Sequence, residues 1–300
     1  MGRKARRSVS GERKHTDLPR PQIVVRKPKL RLDPQRAKRW MNGGARTLIL
    51  HALSTTFPGG ERFFIKSVMA YKDRITDPQL LEEIRLFAAQ EAAHTRAHVR
   101  YDDAGQRHYD VKRIEALVER DLAFAFRWLS GTRKRWWNGP RSARAGTVAL
   151  EHVTATLARR VLTDERIFDG VEPEFARLWS WHAAEEIEHK AVAYDVFEAV
   201  GGTYAERAMA MLAMGPLLAF DTLRMVAGFL RGDGQAWSPA AWADVLGFLF
   251  VAPGALRRAA PDFAAYFRPS FHPWDQDDRA LLERWRGFSD AVAEPVSAAG

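Results

Sequence analysis

The hydrophobic positions along the chain recur with the period of an α-helix from Trp40 onward. After Glu61, for example, apolar residues follow at the third, fourth, seventh and eighth positions, which places them on one helical face. No alternating apolar and polar run of useful length is present, and no Asn-Gly or Asp-Gly turn joins two such runs, as expected for β-hairpins. The pattern therefore predicts an all-α protein.

Proline, glycine and capping residues divide this pattern into segments. Pro58-Gly59-Gly60 predicts a break before a helix over 61–75, and Asp77-Pro78 combines a cap with a proline suited to the first helical position. Gly201-Gly202 is typical of a helix C-terminus. The other predicted helices cover 77–102, 110–130, 140–163, 172–201, 203–230, 240–251 and 277–291, with a proline-rich irregular stretch before the last.

Charge divides the chain into two unequal parts. Residues 1–39 contain 14 Lys and Arg against 3 Asp and Glu, whereas the rest of the chain is nearly balanced, with 32 against 34. Four prolines lie in this first segment, so we expect a basic, extended and disordered N-terminal arm over 1–39. We predict a four-helix-bundle domain over 40–235, and a C-terminal helical extension over 236–300 that packs on the bundle.

Two uncharged apolar stretches are too short to cross a bilayer. Residues 208–220 and 245–256 contain 13 and 12 residues, and a spanning helix needs about 20. They predict core helices, with shallow membrane contact or a lipophilic channel as the alternative. The N-terminus has no apolar signal segment, so we expect a cytoplasmic protein, with a peripheral position at the membrane left open.

Two Glu-x-x-His motifs provide the candidate chemistry of the chain. They are Glu91-Ala92-Ala93-His94 and Glu186-Ile187-Glu188-His189, and this spacing places carboxylate and imidazole on one helical face. Glu61 precedes the first motif by 30 residues and Glu151 precedes the second by 35. Both stand among apolar neighbours, where a carboxylate needs a partner or a metal. The order predicts a dimetal-carboxylate bundle in which four helices project these groups inward.

Other His and Glu residues lie close to these motifs. His182 continues the stripe of the second motif by one turn, so it is a candidate third imidazole. Glu185 and Glu188 lie off that stripe, and we expect them to be solvated or to contact the ligands from outside. For His98 and His152 the pattern leaves open whether they join the site or occupy packed or surface positions.

The absence of cysteine narrows the chemistry further. It excludes disulfides, thiolate metal sites, iron–sulfur clusters and cysteine nucleophiles. Any metal must bind through imidazole and carboxylate, which suits Fe, Mn or Zn. No Gly-x-Ser-x-Gly motif is present, which disfavours a serine hydrolase.

Together these motifs resemble the ferritin-like di-iron carboxylate superfamily. Over about residues 40–275, the segments 57–61, 91–94 and 182–190 are similar to the bacterial family described as predicted metal-dependent hydrolases. His182 is similar to the third histidine of di-iron arylamine N-oxygenases. The resemblance implies two metal ions, iron first with Mn or Zn as alternatives, held by Glu61, Glu91, His94, Glu151, Glu186 and His189, with His182 as a candidate seventh ligand.

We therefore predict a dimetal enzyme. The first expectation is a di-iron oxygenase or oxidase that activates O₂, uses an electron donor and oxidises a small or hydrophobic, lipid-like molecule. The alternatives are a dimetal hydrolase of an ester or phosphoester and a non-catalytic metal-binding protein. Peripheral membrane contact and a homodimer remain open. Nucleic acid is not expected, because the basic arm has no interleaved aromatic residues.

Overall fold

The computed structural model describes residues 19–113, 116, 120 and 140–292, and every regular element in this part of the chain is helical. The prediction of an all-α protein is therefore confirmed. The helix predicted over 110–130 lies largely outside the described residues. In chain order the α-helices are α1 (Thr47–Met69), α2 (Pro78–Gly105), α3 (Pro140–Thr163), α4 (Pro173–His189), α5 (Val192–Ala199), α6 (Tyr204–Gly232), α7 (Pro239–Phe250), α8 (Ala255–Ala265) and α9 (Arg279–Val292).

Helices α1 to α4 form the bundle that positions the site. α1 packs against α2, and α3 packs against α4. Each pair is joined by a short connection that contains one 3₁₀ turn, so its two helices run antiparallel. α1 also contacts α3, and α2 contacts α4, which closes the two pairs into a four-helix bundle. This arrangement is consistent with a ferritin-like bundle.

The local sequence explains where the bundle helices begin. The Asp77 carboxylate caps α2 by accepting a hydrogen bond from the Gln79 amide, and Pro78 occupies the first helical position. α3 and α4 also begin at a proline. The N–H groups at the start of a helix have no acceptor within it, so a proline there costs no hydrogen bond. These three starts agree with the prediction from sequence.

Four features differ from the prediction, and the first is that α1 ends at Met69 and not at residue 75. α1 continues through Pro58 without interruption, because residues on both sides of it, such as Leu48 and Phe64, are buried in the core. The helix predicted over 172–201 is divided after His189, and the buried Lys190 at this break donates a 2.6 Å hydrogen bond to Asp278. α8 occupies part of the stretch predicted to be irregular.

Residues 19–39 lie against the bundle as a non-helical segment, which we call the N-terminal strap. The structure differs here from the predicted disordered arm. Ile23 is buried in the core, and Arg26 forms ion pairs with Glu185 and Glu188 of α4. Buried carboxylates require such a partner, so the basic residues of this segment hold it in place. Residues 1–18 lie outside the described part, and the division of the chain at residues 39 and 235 stays a prediction.

α6 and α7 use only one face to pack on the rest of the protein. α6 contacts α1 and α3, and buries Met225 and Phe229. Two stretches, Tyr204–Gly232 and Pro239–Ala265, are long and apolar enough to cross a membrane by length and composition alone, although the second contains two helices. Only 28% and 39% of their most apolar windows are buried. The prediction of core helices therefore holds for the inner faces alone.

Candidate metal centre

Seven carboxylate and imidazole side chains from the four bundle helices meet in the interior. Each is at most 4% exposed. They form three overlapping groups, and within each group the facing nitrogen and oxygen atoms lie within 4.8 Å of one another. The groups are Glu61 with His94 and His182, Glu91 with His94 and Glu186, and Glu91 with Glu151 and His189. The structure thus brings together every residue that the sequence analysis selected as a ligand.

The two Glu-x-x-His motifs face each other across the bundle. His189 Nε2 lies 3.1 Å from Glu91 Oε1, and His94 Nδ1 lies 3.6 Å from Glu186 Oε1. Each motif histidine therefore approaches the glutamate of the other motif. Glu91 and Glu186 consequently occupy the middle of the cluster, in contact with both of its halves.

The cluster contains eight buried atoms that have no hydrogen-bond partner among the described residues. Buried polar atoms are nearly always paired, so this concentration indicates a bound group that supplies the missing contacts. Metal cations bind carboxylate oxygen and imidazole nitrogen atoms, so bound cations would supply a contact for each of the eight atoms. The atoms are Glu61 Oε1, both carboxylate oxygens of Glu91 and of Glu151, Glu186 Oε2, His94 Nδ1 and His189 Nε2.

Two of the imidazoles are oriented by hydrogen bonds outside the cluster. His94 Nε2 lies 3.1 Å from Glu185 Oε2, and His189 Nδ1 lies 2.9 Å from Gln90 Oε1. Carboxylate and amide oxygens only accept hydrogen bonds, so each ring donates through this nitrogen. In the neutral ring, the opposite nitrogen carries no proton and faces the other donors, which is the orientation that a metal-binding histidine needs.

His182 is oriented through a chain of three further side chains. Ser54 Oγ donates to Asp102 at 2.7 Å, so it accepts from His98 Nδ1 at 2.9 Å. His98 Nε2 therefore accepts from His182 Nδ1 at 2.7 Å. His182 Nε2 is then the ring nitrogen that faces the cluster, 3.0 Å from Glu186 Oε1. His98 thus lies directly behind the cluster and orients a member of it.

The remaining candidates lie outside the cluster. His152 Nε2 bonds the Asp262 carbonyl oxygen, and burial lowers the pKa of His152 to about 4, so it is a neutral, packed histidine. Glu185 and Glu188 are buried, and the solvated alternative is therefore wrong for both. Their carboxylates pair with Arg26 of the N-terminal strap, and Glu185 also contacts His94.

Burial and the neighbouring charges together shift the pKa values of the cluster. It raises the pKa of the Glu61 carboxyl well above its usual range, and the charge of Glu91 raises this pKa further. Burial also raises the pKa of Glu151 well above its usual range. Burial disfavours the His189 cation, but Glu186 and Glu91 outweigh it and raise the pKa of His189 well above normal. Divalent cations would relieve the repulsion among these carboxylates.

A cavity of about 260 Å³ adjoins the cluster between α1, α3 and α6. Glu61, His182 and Glu186 line it, and most of the remaining wall is apolar. Gly59 and Gly60 keep the α1 wall open: a Cβ atom at Gly59 would meet nothing within 4 Å, and one at Gly60 would meet only the Phe64 ring at 3.9 Å. These glycines, which predicted a helix break, instead leave space beside Glu61 within a continuous helix.

The fold and the cluster define an all-α bundle protein with a candidate metal centre in its interior. Residues 24–277 match the family described as predicted metal-dependent hydrolase, and the chain belongs to this family. No curated protein and no solved structure gives a match. The predicted resemblance to metal-dependent hydrolases is thereby confirmed, while the wider relationship to the ferritin-like superfamily and to oxygenases stays a prediction.

Proposed function

We propose that the protein is a dimetal hydrolase that cleaves a small ester with an apolar part. The main support is the set of unpartnered donor atoms that converge from four helices beside an apolar cavity. Membership in a family described as metal-dependent hydrolases supports the reaction class. The family gives no support to O₂ activation, the reaction predicted first, so we place hydrolysis before it.

The donor atoms form three overlapping groups. Glu91 and Glu186, in the middle of the cluster, would help to hold the ions together with donors from different helices. Two bound divalent ions polarise a carbonyl group and lower the pKa of a bound water. The protein holds the donors in position and excludes bulk water from them. One ion would be held by Glu61, His94 and His182, and the other by Glu151 and His189.

Charge favours an ester over a phosphoester as the substrate. The four glutamates of the cluster bring four negative charges, which two divalent ions would neutralise. Sites that transfer phosphoryl groups commonly add Arg or Lys to hold the phosphate. Among the described residues that line the cavity, none is Arg or Lys.

The proposal is tested by metal content and ester cleavage measured on the same preparations. The protein, loaded with Mn²⁺ or Zn²⁺ without O₂, should bind two ions and hydrolyse p-nitrophenyl butyrate, but not bis(p-nitrophenyl) phosphate. Glu91→Ala should lose at least one ion and at least 100-fold in kcat/KM. Glu82→Ala is the matched control, because Glu82 is an exposed α2 acid paired with Arg85. Equal cleavage by Glu91→Ala, or turnover only with Fe²⁺ and O₂, would contradict hydrolysis at this centre.

A second experiment tests whether the cavity is the substrate site. Gly60→Leu places a side chain in open space beside Glu61, so kcat/KM for p-nitrophenyl hexanoate should fall at least tenfold while the metal content stays unchanged. Gly247→Leu is the control, because this helical glycine also has open space around its Cβ position but does not line the cavity. Equal losses in the two variants would exclude the cavity as the substrate site.

A further inference from the structure

The outer face of α6 is apolar along most of its length. Exposed residues recur there at steps of three and four, as expected for one helical face. Leu212 is 60% exposed and Phe220 is 64% exposed. Soluble monomers rarely expose a continuous apolar patch of this extent, which indicates an interaction surface. The exposed residues of this stripe are Ala205, Met209, Leu212, Pro216, Ala219, Phe220 and Leu223.

Exposed apolar side chains also occur in the loop after α6 and along α7. Trp237 in this loop is 94% exposed, which is unusual for the largest side chain in proteins. Leu246 on α7 is also exposed, as are Phe250 and Val251 at its end. We call the exposed residues of 204–252 the apolar face. Two helices and their connecting loop therefore present one kind of surface to the outside.

The charges around the apolar face indicate what covers it. Among the described residues 204–258, every exposed side chain is uncharged except Arg231, Arg257 and Arg258. The acidic residues of this region are buried or half-buried. An apolar surface with cations at its edges complements anionic lipid headgroups over an acyl layer. A second copy of the chain would offer these arginines no exposed acid from the same face.

The packing of α6 determines how this surface can meet lipid. Its inner face contacts α1 and α3 and buries Arg207 and Asp221, so lipid cannot surround the helix. An amphipathic helix that turns one apolar side outward lies in the plane of the membrane interface, with that side toward the acyl chains. The exposed Trp237 suits that position, because tryptophan favours the boundary between headgroups and acyl chains.

We propose that the apolar face docks on an anionic lipid bilayer, on whose surface the protein lies without crossing it. This inference rests on the exposed residues of α6 and α7 and does not depend on hydrolysis at the metal centre. It also gives α6 two roles, since Met214, Leu217 and Leu218 on another side of the helix line the cavity.

Co-flotation of the full chain with lipid vesicles tests the proposal. We expect at least tenfold stronger binding to vesicles of equal parts phosphatidylcholine and phosphatidylglycerol than to phosphatidylcholine alone. Phe220→Glu and Leu212→Glu should each weaken binding at least tenfold. Val99→Glu is the matched control, because Val99 is an exposed apolar residue on α2, outside the apolar face. Circular dichroism and light scattering would report the fold and the oligomeric state of each variant.

Several results would overturn the proposal. One is a wild-type chain that stays with neither kind of vesicle. Another is full binding by Phe220→Glu, which would assign the attraction to the basic residues 1–39 instead. A third is a wild-type dimer that Phe220→Glu converts to a monomer without any vesicle binding, which would make the face a contact between two copies of the chain. Equal binding to both kinds of vesicle would show that the arginines do not select anionic lipid.

Discussion

At the scale of single residues, the cluster depends on side chains that do not belong to it. Gln90, Glu185 and His98 each fix the ring nitrogen that points away from the centre. Without such a partner, an imidazole can rotate or carry its proton on the wrong nitrogen. The three rings therefore each turn one nitrogen toward the cluster because of contacts on their outer side.

Replacement of His98 tests this dependence. His98→Leu keeps the pocket apolar but removes the acceptor for His182 Nδ1, so the affinity of the centre for Zn²⁺ should fall about 10- to 100-fold. His152→Leu is the control, since it removes a similarly buried histidine that bonds a backbone carbonyl elsewhere. Calorimetric titration with Zn²⁺ measures both variants, and unchanged affinity in His98→Leu would contradict the orienting role.

His51 provides a test of pH dependence away from the cluster. Its Nε2 lies 3.0 Å from the Ala37 carbonyl oxygen, and burial lowers the pKa of His51 to about 4. The unfolded side chain has a pKa near 6.5, so between pH 6.5 and 4 the unfolded chain binds a proton that the folded chain does not. The free energy of unfolding should therefore fall as the pH falls through this window.

The variant His51→Phe isolates this contribution. Its unfolding free energy should depend less steeply on pH between 6.5 and 4, by up to about 1.4 kcal/mol for each pH unit, because one proton fewer is taken up on unfolding. Guanidinium unfolding in the presence of a chelator, repeated across this pH range, gives both slopes. Parallel slopes for variant and wild type would show that His51 does not remain neutral in the folded chain.

At the scale of elements, the N-terminal strap packs on α4 and pairs with two of its buried carboxylates. Arg26 Nη2 lies 2.8 Å from Glu188 Oε1, and the Arg26 backbone amide donates to Glu185 at 3.0 Å. Gln90, which orients His189, also donates to Glu188 at 3.0 Å. The strap thus neutralises the two carboxylates through which α2 and α4 support the imidazoles.

Arg26→Ala should therefore destabilise the fold by about 3 kcal/mol, because it leaves buried carboxylates without their main cation. Arg85→Ala removes an arginine from an exposed ion pair with Glu82 and should cost less than about 1 kcal/mol. Urea unfolding of the two variants compares the costs directly. Similar small values for both would show that the strap lies on α4 without stabilising it.

Features of the helices that depend on local sequence could be predicted, whereas those that depend on packing between helices could not. Asp77-Pro78 predicts the start of α2 because a cap and its proline act locally. Pro58 predicts a break that does not occur, since core packing on both sides outweighs its local effect. The Glu-x-x-His spacing likewise acts within one helix, so the clustered side chains could be selected from sequence. The bond from His189 to Gln90 joins two helices, and no spacing in the sequence indicates it.

At the scale of the whole molecule, the cluster joins both helix pairs of the bundle. Glu61 and Glu91 come from the first pair, and Glu151 and His189 come from the second. Bound cations would therefore link the two halves of the protein, whereas the carboxylates by themselves repel across the same interface. Metal binding and folding should accordingly be coupled, in the way that linkage requires for any ligand of the folded state.

Glu151→Gln separates the repulsion among the carboxylates from the binding of metal, because the repulsion lowers the stability of the fold and metal binding raises it. Both carboxylate oxygens of Glu151 are buried without a hydrogen-bond partner, so the amide should raise the melting temperature of the chelator-treated protein. The same change removes a donor, so the gain in stability on adding Mn²⁺ should be smaller than in wild type, where metal at 100 times its Kd adds about 2.7 kcal/mol for each site. Scanning calorimetry with chelator and with Mn²⁺ measures all four states. A variant that loses stability under both conditions would show that Glu151 has a structural role instead of a place in a metal centre.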